Sequence, residues 1–330
     1  MSVDLVGKKI LLFAPKFFNY EEDIKRELEK KGAIVHMYDE RNNPSSVEKI
    51  LLRKFRVLMT RKINRFYKNV VKCEKSFSPD FVFFISPETI NKKSILYLKQ
   101  VFSNASFIMY MWDSIKNKKN TKYIYKYFDK QFSFDNDDCK KYGFNFRPLF
   151  FINEFEKNCE VFNYKYDFTF IGSVHSDRAK ILNSLYKEFK EKNISFYFYL
   201  YVPGKLMYFL RSLIDKDFRE LKNKYVHVTS LNKNEVSKIA EESNYIIDIN
   251  HPKQIGLTMR TIEMLGLKKK LLTTNTHLRE YDFYNPSNQI IIERRNVLVD
   301  STLLCEEFQI VDEKVYNKYR LSEWINDILK

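Results

Sequence analysis

Residues 244–275 read NYIIDINHPKQIGLTMRTIEMLGLKKKLLTTN, and the architecture follows from how they are parsed. Tyr245-Ile246-Ile247-Asp248-Ile249-Asn250 is a short apolar run rich in β-branched residues, the pattern of a buried strand. Pro252 lacks the donor a central ladder needs, so His251-Pro252-Lys253-Gln254 is a loop. Leu257, Ile262 and Leu265 then fall at helical spacing, and the pattern predicts a helix opening near Gly256 and stopping at Gly266. Leu271-Leu272-Thr273-Thr274 is the next strand. A strand, loop, helix and strand in that order make the unit of a parallel sheet.

The loop is where such a unit does chemistry. A helix start at the carboxyl end of a parallel strand offers unpaired N–H groups and the positive end of a dipole to an anion, and phosphate is the natural guest. Arg260 and Glu263 are three apart and share a helix face. One is a permanent cation suited to phosphate, the other a carboxylate that can accept from two sugar hydroxyls. The alternative is that they only pair with each other, worth about 0.2–0.5 kcal/mol.

Outward from this unit the same alternation recurs. In the first half, strands are expected at 8–14, 33–38, 81–86, 106–111 and 131–134, with helices at 20–31, around 92–101 and at 137–142. Asn19 is a possible cap for the first helix. Pro15-Lys16-Phe17-Phe18 stands where a dinucleotide-binding turn would need glycines, which disfavours a nicotinamide or flavin enzyme. The segment 153–164 has no clear period and is the expected boundary. The pattern restarts with strands at 166–171, 194–202 and 225–229 and helices from Ser176 or Asp177, over 203–221 and over 232–242. A last strand is expected at 289–292 and a last helix at 315–329, with Tyr319, Leu321, Trp324 and Ile328 buried.

Carboxyl ends of strands in an open parallel sheet face the ligand crevice. Glu88 follows one strand and Asp113 another, and Asp113 is placed to act as a base or to hold an acceptor hydroxyl, or alternatively to cap the next helical turn. Arg178 lies in the first turn of a helix, where its charge opposes the dipole. Local stability explains it poorly and an anion contact explains it better. Asp135 and Asp137 after a strand can chelate a divalent metal or, more simply, cap a helix.

With 330 residues, 44% hydrophobic and 16% aromatic, the chain suggests roughly two domains of about 150 residues, and disorder is excluded as a description of the whole. No apolar run approaches the ~18–20 residues of a spanning helix, and the start of the chain goes directly into a strand pattern, so a cytoplasmic location is expected. The four cysteines, Cys73, Cys139, Cys159 and Cys305, have no close pair and signal neither zinc nor disulfides. A net charge of +15 implies an anionic partner: nucleic acid, a membrane surface or a phosphorylated small molecule. Between 45 and 72 a helical pattern sets apolar positions against a dense basic face that includes Arg61, Lys62 and Arg65. It reads as a helix resting on an anionic bilayer with its aromatics at headgroup depth, or as a core helix with a charged solvent side.

The order of β/α units, Phe168-Thr169-Phe170-Ile171-Gly172-Ser173 followed by Arg178, and Arg260-Thr261-Ile262-Glu263 before a strand, resembles the two-domain GT-B type glycosyltransferases. Within that class MYMWDSIKN at 109–117, DKQFSFDNDDCKKYGFNFRPLFF at 129–151 and YDFTFIGS at 166–173 are similar to the group near spore-coat CgeB proteins and lipopolysaccharide-core or capsule transferases. The resemblance implies two Rossmann-like α/β domains facing a central cleft: an acceptor domain over 1–152, a linker over 153–165 and a nucleotide-sugar domain over 166–330. The C-terminal helix is expected to cross back to the first domain.

It further implies that Gly172, Ser173, Arg178, Gly256, Leu257, Thr258 and Arg260 meet the diphosphate of a nucleotide sugar and that Glu263 holds ribose hydroxyls. The sequence departs from the commoner pattern of two glutamates eight apart: Ile255 stands where the first would be, and His251 or Gln254 are the substitutes. Asp113 is the candidate base, with Glu88 in reserve. The acceptor is expected to be a glycan or lipid-linked glycan of a bacterial surface polysaccharide, with peripheral contact to the inner membrane through Arg61, Lys62 and Arg65. No metal, other cofactor or nucleic acid is expected. Three rival readings stay open: a basic nucleic-acid-binding protein, a catalytically inactive scaffold of the same fold, and a metal-dependent transferase using Asp135 and Asp137.

Overall fold

The computed structural model describes residues 3–41, 56–156 and 164–330. The chain divides into two compact units, Met1–Pro148 with Leu321–Lys330, and Leu149–Arg320.

Each unit is built on one six-stranded sheet whose neighbouring strands are all parallel. In the first, β1 (Lys9–Ala14), β2 (Ile34–Asp39), β3 (Phe81–Ile85), β4 (Ser106–Met111), β5 (Lys130–Ser133) and β6 (Asn145–Phe146) lie in the order β2-β1-β3-β4-β5-β6. Strands buried on both faces need a continuous apolar run, which Ile10–Ala14 after Lys9 and FVFFI supply. One face packs Phe13 on Phe84, rings stacked at 4.4 Å, with Ile63, Tyr67 and Val70 of the helix Arg56–Glu74. On the other, Trp324 of the helix Leu321–Leu329 sits edge-on to Tyr110 at 4.6 Å, fully buried.

The second unit holds β7 (Tyr166–Ser173), β8 (Phe196–Tyr201), β9 (Val226–His227), β10 (Ser243–Asp248), β11 (Lys270–Thr273) and β12 (Gln289–Ile291). Their spatial order is β12-β11-β10-β7-β8-β9. The chain winds outward from β7 in one direction, then returns to the other side of β7 and winds outward again. The order therefore reverses between β7 and β10, and a crevice opens at the carboxyl ends of those two strands. Phe168 locks this centre, stacked on Phe189 at 4.8 Å and on Tyr245 at 5.1 Å.

Several local expectations are corrected. Asn19 occupies the N-cap position with φ 61°, but its side chain makes no capping bond. The expected helix at 203–221 is two helices, Lys205–Ile214 and Lys216–Tyr225, because Asp215 leaves helical geometry and accepts from the Phe218 amide. The expected last helix is also two, Glu313–Lys318 and Leu321–Leu329. The former belongs to the second unit and the latter to the first, as expected for a chain that crosses back. Residues 45–55 of the expected basic helix lie outside the described residues. Among the described residues no helix is long and apolar enough to cross a membrane.

Candidate functional site

The crevice at the ends of β7 and β10 is assembled from three short segments. The first is the exit of β7. Gly172 is needed there for close approach, since a Cβ would stand 3.0 Å from the Phe170 ring and 3.5 Å from Arg178 Nη1. The chain then turns through His175 and Ser176 and enters the helix Arg178–Glu191. Arg178 curls back from that helix start, Nε donating to the Ile249 carbonyl at 2.7 Å and Nη1 to the Ser173 carbonyl at 2.9 Å. It thus ties the ends of the two strands where the winding reverses. Arg178 Nη2 has no hydrogen-bond partner among the described residues. Asp177 is the N-cap by position but makes no cap bond.

The second segment is the loop after β10. Asp248 ends the strand buried and accepts from Thr258 Oγ1 at 2.9 Å and from Thr261 Oγ1 at 2.7 Å. That pair fixes the helix Met259–Gly266, whose N-cap is Thr258, accepting from the Thr261 amide at 3.2 Å. The helix therefore opens three residues later than the apolar spacing predicts. Gly256 and Leu257 belong to the loop, and Leu257 is buried, so only its backbone can meet a ligand. Arg260 Nη1 and Glu263 Oε2 lie 2.9 Å apart with the carboxylate almost fully buried. The paired alternative is the one the fold adopts. Ribose binding by Glu263 would have to be shared with that arginine.

The remainder of the loop is held by its own amides. Gln254 Nε2 donates to Gly256 O at 2.9 Å, Asn250 Nδ2 to Gln254 O at 3.0 Å and Asn275 Nδ2 to Ile255 O at 3.3 Å. His251 is exposed, accepts from the Lys253 amide at 3.2 Å, and lies 6.0 Å ring to ring from His175.

The third segment was not legible in the sequence. Arg294 follows β12, and its Nη1 donates to both oxygens of Asp177 at 2.9 Å, while Nη2 reaches Asn250 O at 2.6 Å and the Asn250 side chain. Asp177 thus serves Arg294, which accounts for its missing cap bond. No spacing links residue 294 to 177; only the sheet brings them together.

Charges here are close to balanced in number, with Arg178, Arg260 and Arg294 set against Asp177, Asp248 and Glu263. His175 lies within this cluster. Burial, followed by the charges of Arg178, His251 and Arg211, pushes its pKa down to about 4 against the opposing pull of Asp177. Arg178 is itself lowered to about 10, by burial first and also by Arg260 and Arg294, with Asp248 opposing. Three guanidinium groups thus converge, poorly solvated, on this end of the sheet, an arrangement suited to an anion.

In the first unit the expected bases differ in state. Glu88 is paired with Lys118 Nζ at 2.7 Å and Arg41 Nε at 3.2 Å, two cations that occupy it. Asp113 accepts on Oδ1 from the Ser114 amide at 2.9 Å and Asn117 Nδ2 at 2.8 Å. Its Oδ2 has no partner among the described residues. Beside it Trp112 lies 5.6 Å from Phe17, which meets Phe18 edge-on at 4.9 Å. This aromatic group at the ends of β1 and β4 was also not anticipated; the run Phe17-Phe18 was its only signal.

Asp135 caps the helix Asn136–Tyr142, accepting from the Asp137 and Asp138 amides at 3.0 and 3.3 Å. Among the described residues no group of three or more His, Cys, Asp or Glu side chains is arranged to hold a metal ion. Arg61, Lys62 and Arg65 are exposed on the helix Arg56–Glu74. The aromatic residues of that helix go inward instead of to headgroup depth: Tyr67 is fully buried and Phe66 packs on the core. Among the described residues its basic face therefore has no aromatic residues to insert.

Two doubly wound parallel sheets, the second with its winding reversal at β7 and β10, define the GT-B fold. No family model and no curated protein matches the sequence. Among solved structures the chain is similar to the lipopolysaccharide outer core galactosyltransferase WaaB in its apo form, with 12% identity over 97% of this chain and 99% of that one and a TM-score of 0.52. It is likewise similar to Anabaena HepE in complex with UDP and glucose, with 8% identity, 98% of each chain covered and a TM-score of 0.64. Acinetobacter baumannii MurG aligns at 11% identity over 98% of this chain and 99% of that one, TM-score 0.54. At such identities the likeness is one of fold.

Proposed function

We propose that the chain is a glycosyltransferase that takes a sugar from a nucleotide-activated donor. The observation that carries this reading is the convergence of Arg178, Arg260 and Arg294, with the start of the helix Met259–Gly266, on the winding reversal of the second sheet. The HepE complex with UDP and glucose, on the same fold, supports it. In this reading the backbone at Gly172, Ser173, Gly256, Leu257 and Thr258 and the guanidinium groups receive the diphosphate. Glu263, shared with Arg260, faces the ribose, and His251 borders the donor.

Chemically, the bond from the anomeric carbon to the diphosphate oxygen breaks as an acceptor hydroxyl attacks. Negative charge develops on the departing diphosphate. Fixed amides and arginines stabilise that charge without reorganising, a contribution of the oxyanion-hole type that needs no metal. Should the reaction invert, Asp113, with Oδ2 open, takes the acceptor proton in preference to the doubly paired Glu88. The acceptor we propose is a glycan or lipid-linked glycan of a bacterial surface polysaccharide, reached at an anionic membrane through Arg61, Lys62 and Arg65. The likeness to WaaB supports that choice.

A thermal-shift panel of nucleoside diphosphates and nucleotide sugars tests the proposal, because a ligand that binds only the folded state raises its apparent stability. One of them is expected to raise the melting temperature of the parent and not of Arg260→Ala or Glu263→Ala. Equal stabilisation of all three would move the site elsewhere.

A further inference from the structure

The helix Lys205–Ile214 has its polarity inverted. Toward the unit it turns Tyr208, 5.7 Å from the Phe218 ring, and Ser212, which is buried and donates to Phe209 O at 2.7 Å. Toward solvent it turns Leu206, Met207, Phe209, Leu210, Leu213 and Ile214, with Leu206 73% and Ile214 83% exposed. Positions 206, 207, 209, 210, 213 and 214 form one continuous helical stripe. Single exposed apolar residues are ordinary, but six in one stripe are an interaction surface.

What this face offers selects its occupant. Residues 205–214 contain no acidic side chain, and exposed Lys205 and Lys216 bracket the stripe. The two carboxylates that follow are engaged elsewhere, Asp215 by the Phe218 amide and Arg211, Asp217 by Asn183. A specific protein interface surrounds its apolar centre with a rim of hydrogen-bonding groups. Here the exposed charges at the two ends of the stripe are Lys205 and Lys216, with Asp215 and Asp217 half-buried and paired, on a chain of net charge +15. Apolar residues flanked by lysines match the acyl boundary and phosphate layer of an anionic bilayer, which requires no shape complementarity.

We propose that the helix Lys205–Ile214 is a membrane-docking element, lying in the plane of an anionic lipid surface with its six apolar side chains below the headgroups and Lys205 and Lys216 at the phosphates. This surface is separate from the basic face at Arg61, Lys62 and Arg65. It does not depend on the transferase reading, since vesicle binding is read with no nucleotide present.

The test is flotation of the full chain with vesicles of phosphatidylcholine alone or mixed with phosphatidylglycerol, together with light scattering. The parent is expected to float with the phosphatidylglycerol vesicles. Leu206→Glu/Leu213→Glu is expected to lose at least tenfold in bound fraction at an unchanged melting temperature, because both side chains are already in water. Lys205→Glu/Lys216→Glu should weaken the same binding. The proposal is overturned if the parent stays with the protein fraction or if the leucine variant floats like the parent. It is equally overturned if the parent is a dimer that the leucine variant dissociates, which would give the stripe to a second copy.

Discussion

Arg178 Nε donates to the carbonyl of Ile249 at 2.7 Å, so a side chain from the helix after β7 closes the end of β10. The same guanidinium holds Ser173 O at 2.9 Å. One residue thus both sets the width of the crevice and supplies part of its charge.

Arg178→Ala should therefore weaken the fold as well as ligand binding. Hydrogen bonds from a charged donor are worth about 1.5–3 kcal/mol each, and partial solvation of the gap brings the expected loss to about 2 kcal/mol in urea unfolding. Arg178→Lys keeps the charge but cannot span both carbonyls. It should recover less than half of the stability, and full recovery would show that charge alone matters.

The Arg294–Asp177 pair pins the β7 exit loop to Asn250. Both side chains are partly exposed, so solvent screening limits the coupling to about 1 kcal/mol. A double-mutant cycle with Arg294→Ala and Asp177→Ala measures it. If the loop positions the donor, Arg294→Ala should also lower nucleotide-induced stabilisation by more than it lowers stability; a purely structural arginine would change only the latter.

His175 gives the site a pH signature. Its pKa is about 4 in the fold and 6.5 when free. Between those values the unfolded chain binds a proton that the native chain does not, so stability rises with pH across the window and falls as pH drops from 6.5 toward 4. The fall should be shallower in His175→Gln than in the parent, as followed by melting temperature against pH. Parallel curves would place the acid sensitivity in other groups.

Gly266 ends the helix Met259–Gly266 against the linking segment. A Cβ there would stand 2.4 Å from Phe155 O and 2.7 Å from the Phe151 ring. Backbone cannot yield as a flexible side chain would, so Gly266→Ala should cost at least the ~1–3 kcal/mol of ordinary overpacking. Unfolding by denaturant reads this directly, and a neutral substitution would mean the contact is not made.

Asp113→Asn should separate chemistry from binding. Loss of a general base lowers turnover by about 10²–10⁴-fold, while the nucleotide-induced rise in melting temperature should persist, because Asp113 belongs to the first unit. Undiminished transfer would remove the base and favour a retaining course.

The alternation of apolar runs and amphipathic stretches was enough to read two successive β/α halves from the chain, since strands buried on both faces must be apolar throughout and their crossover helices must not. The positions of Gly172 and Arg178 were legible for the same local reason: each stands where a strand ends and a helix begins. The late start of the helix at Met259 was not. It depends on Asp248 taking the hydroxyls of Thr258 and Thr261, a choice that apolar spacing does not encode.

Periodicity is a property of neighbours along the chain, and by itself it determined the units, their parallel sheets and the strand ends where a ligand crevice would open. Which distant groups meet at those ends was decided by the sheet order alone. Arg294 reaches Asp177, Phe17 reaches Trp112, and Trp324 returns to Tyr110 through packing that no local pattern records. The exposure of Leu206 and Ile214 belongs with these, because a helical stripe of apolar residues looks the same in sequence whether it faces a core or water.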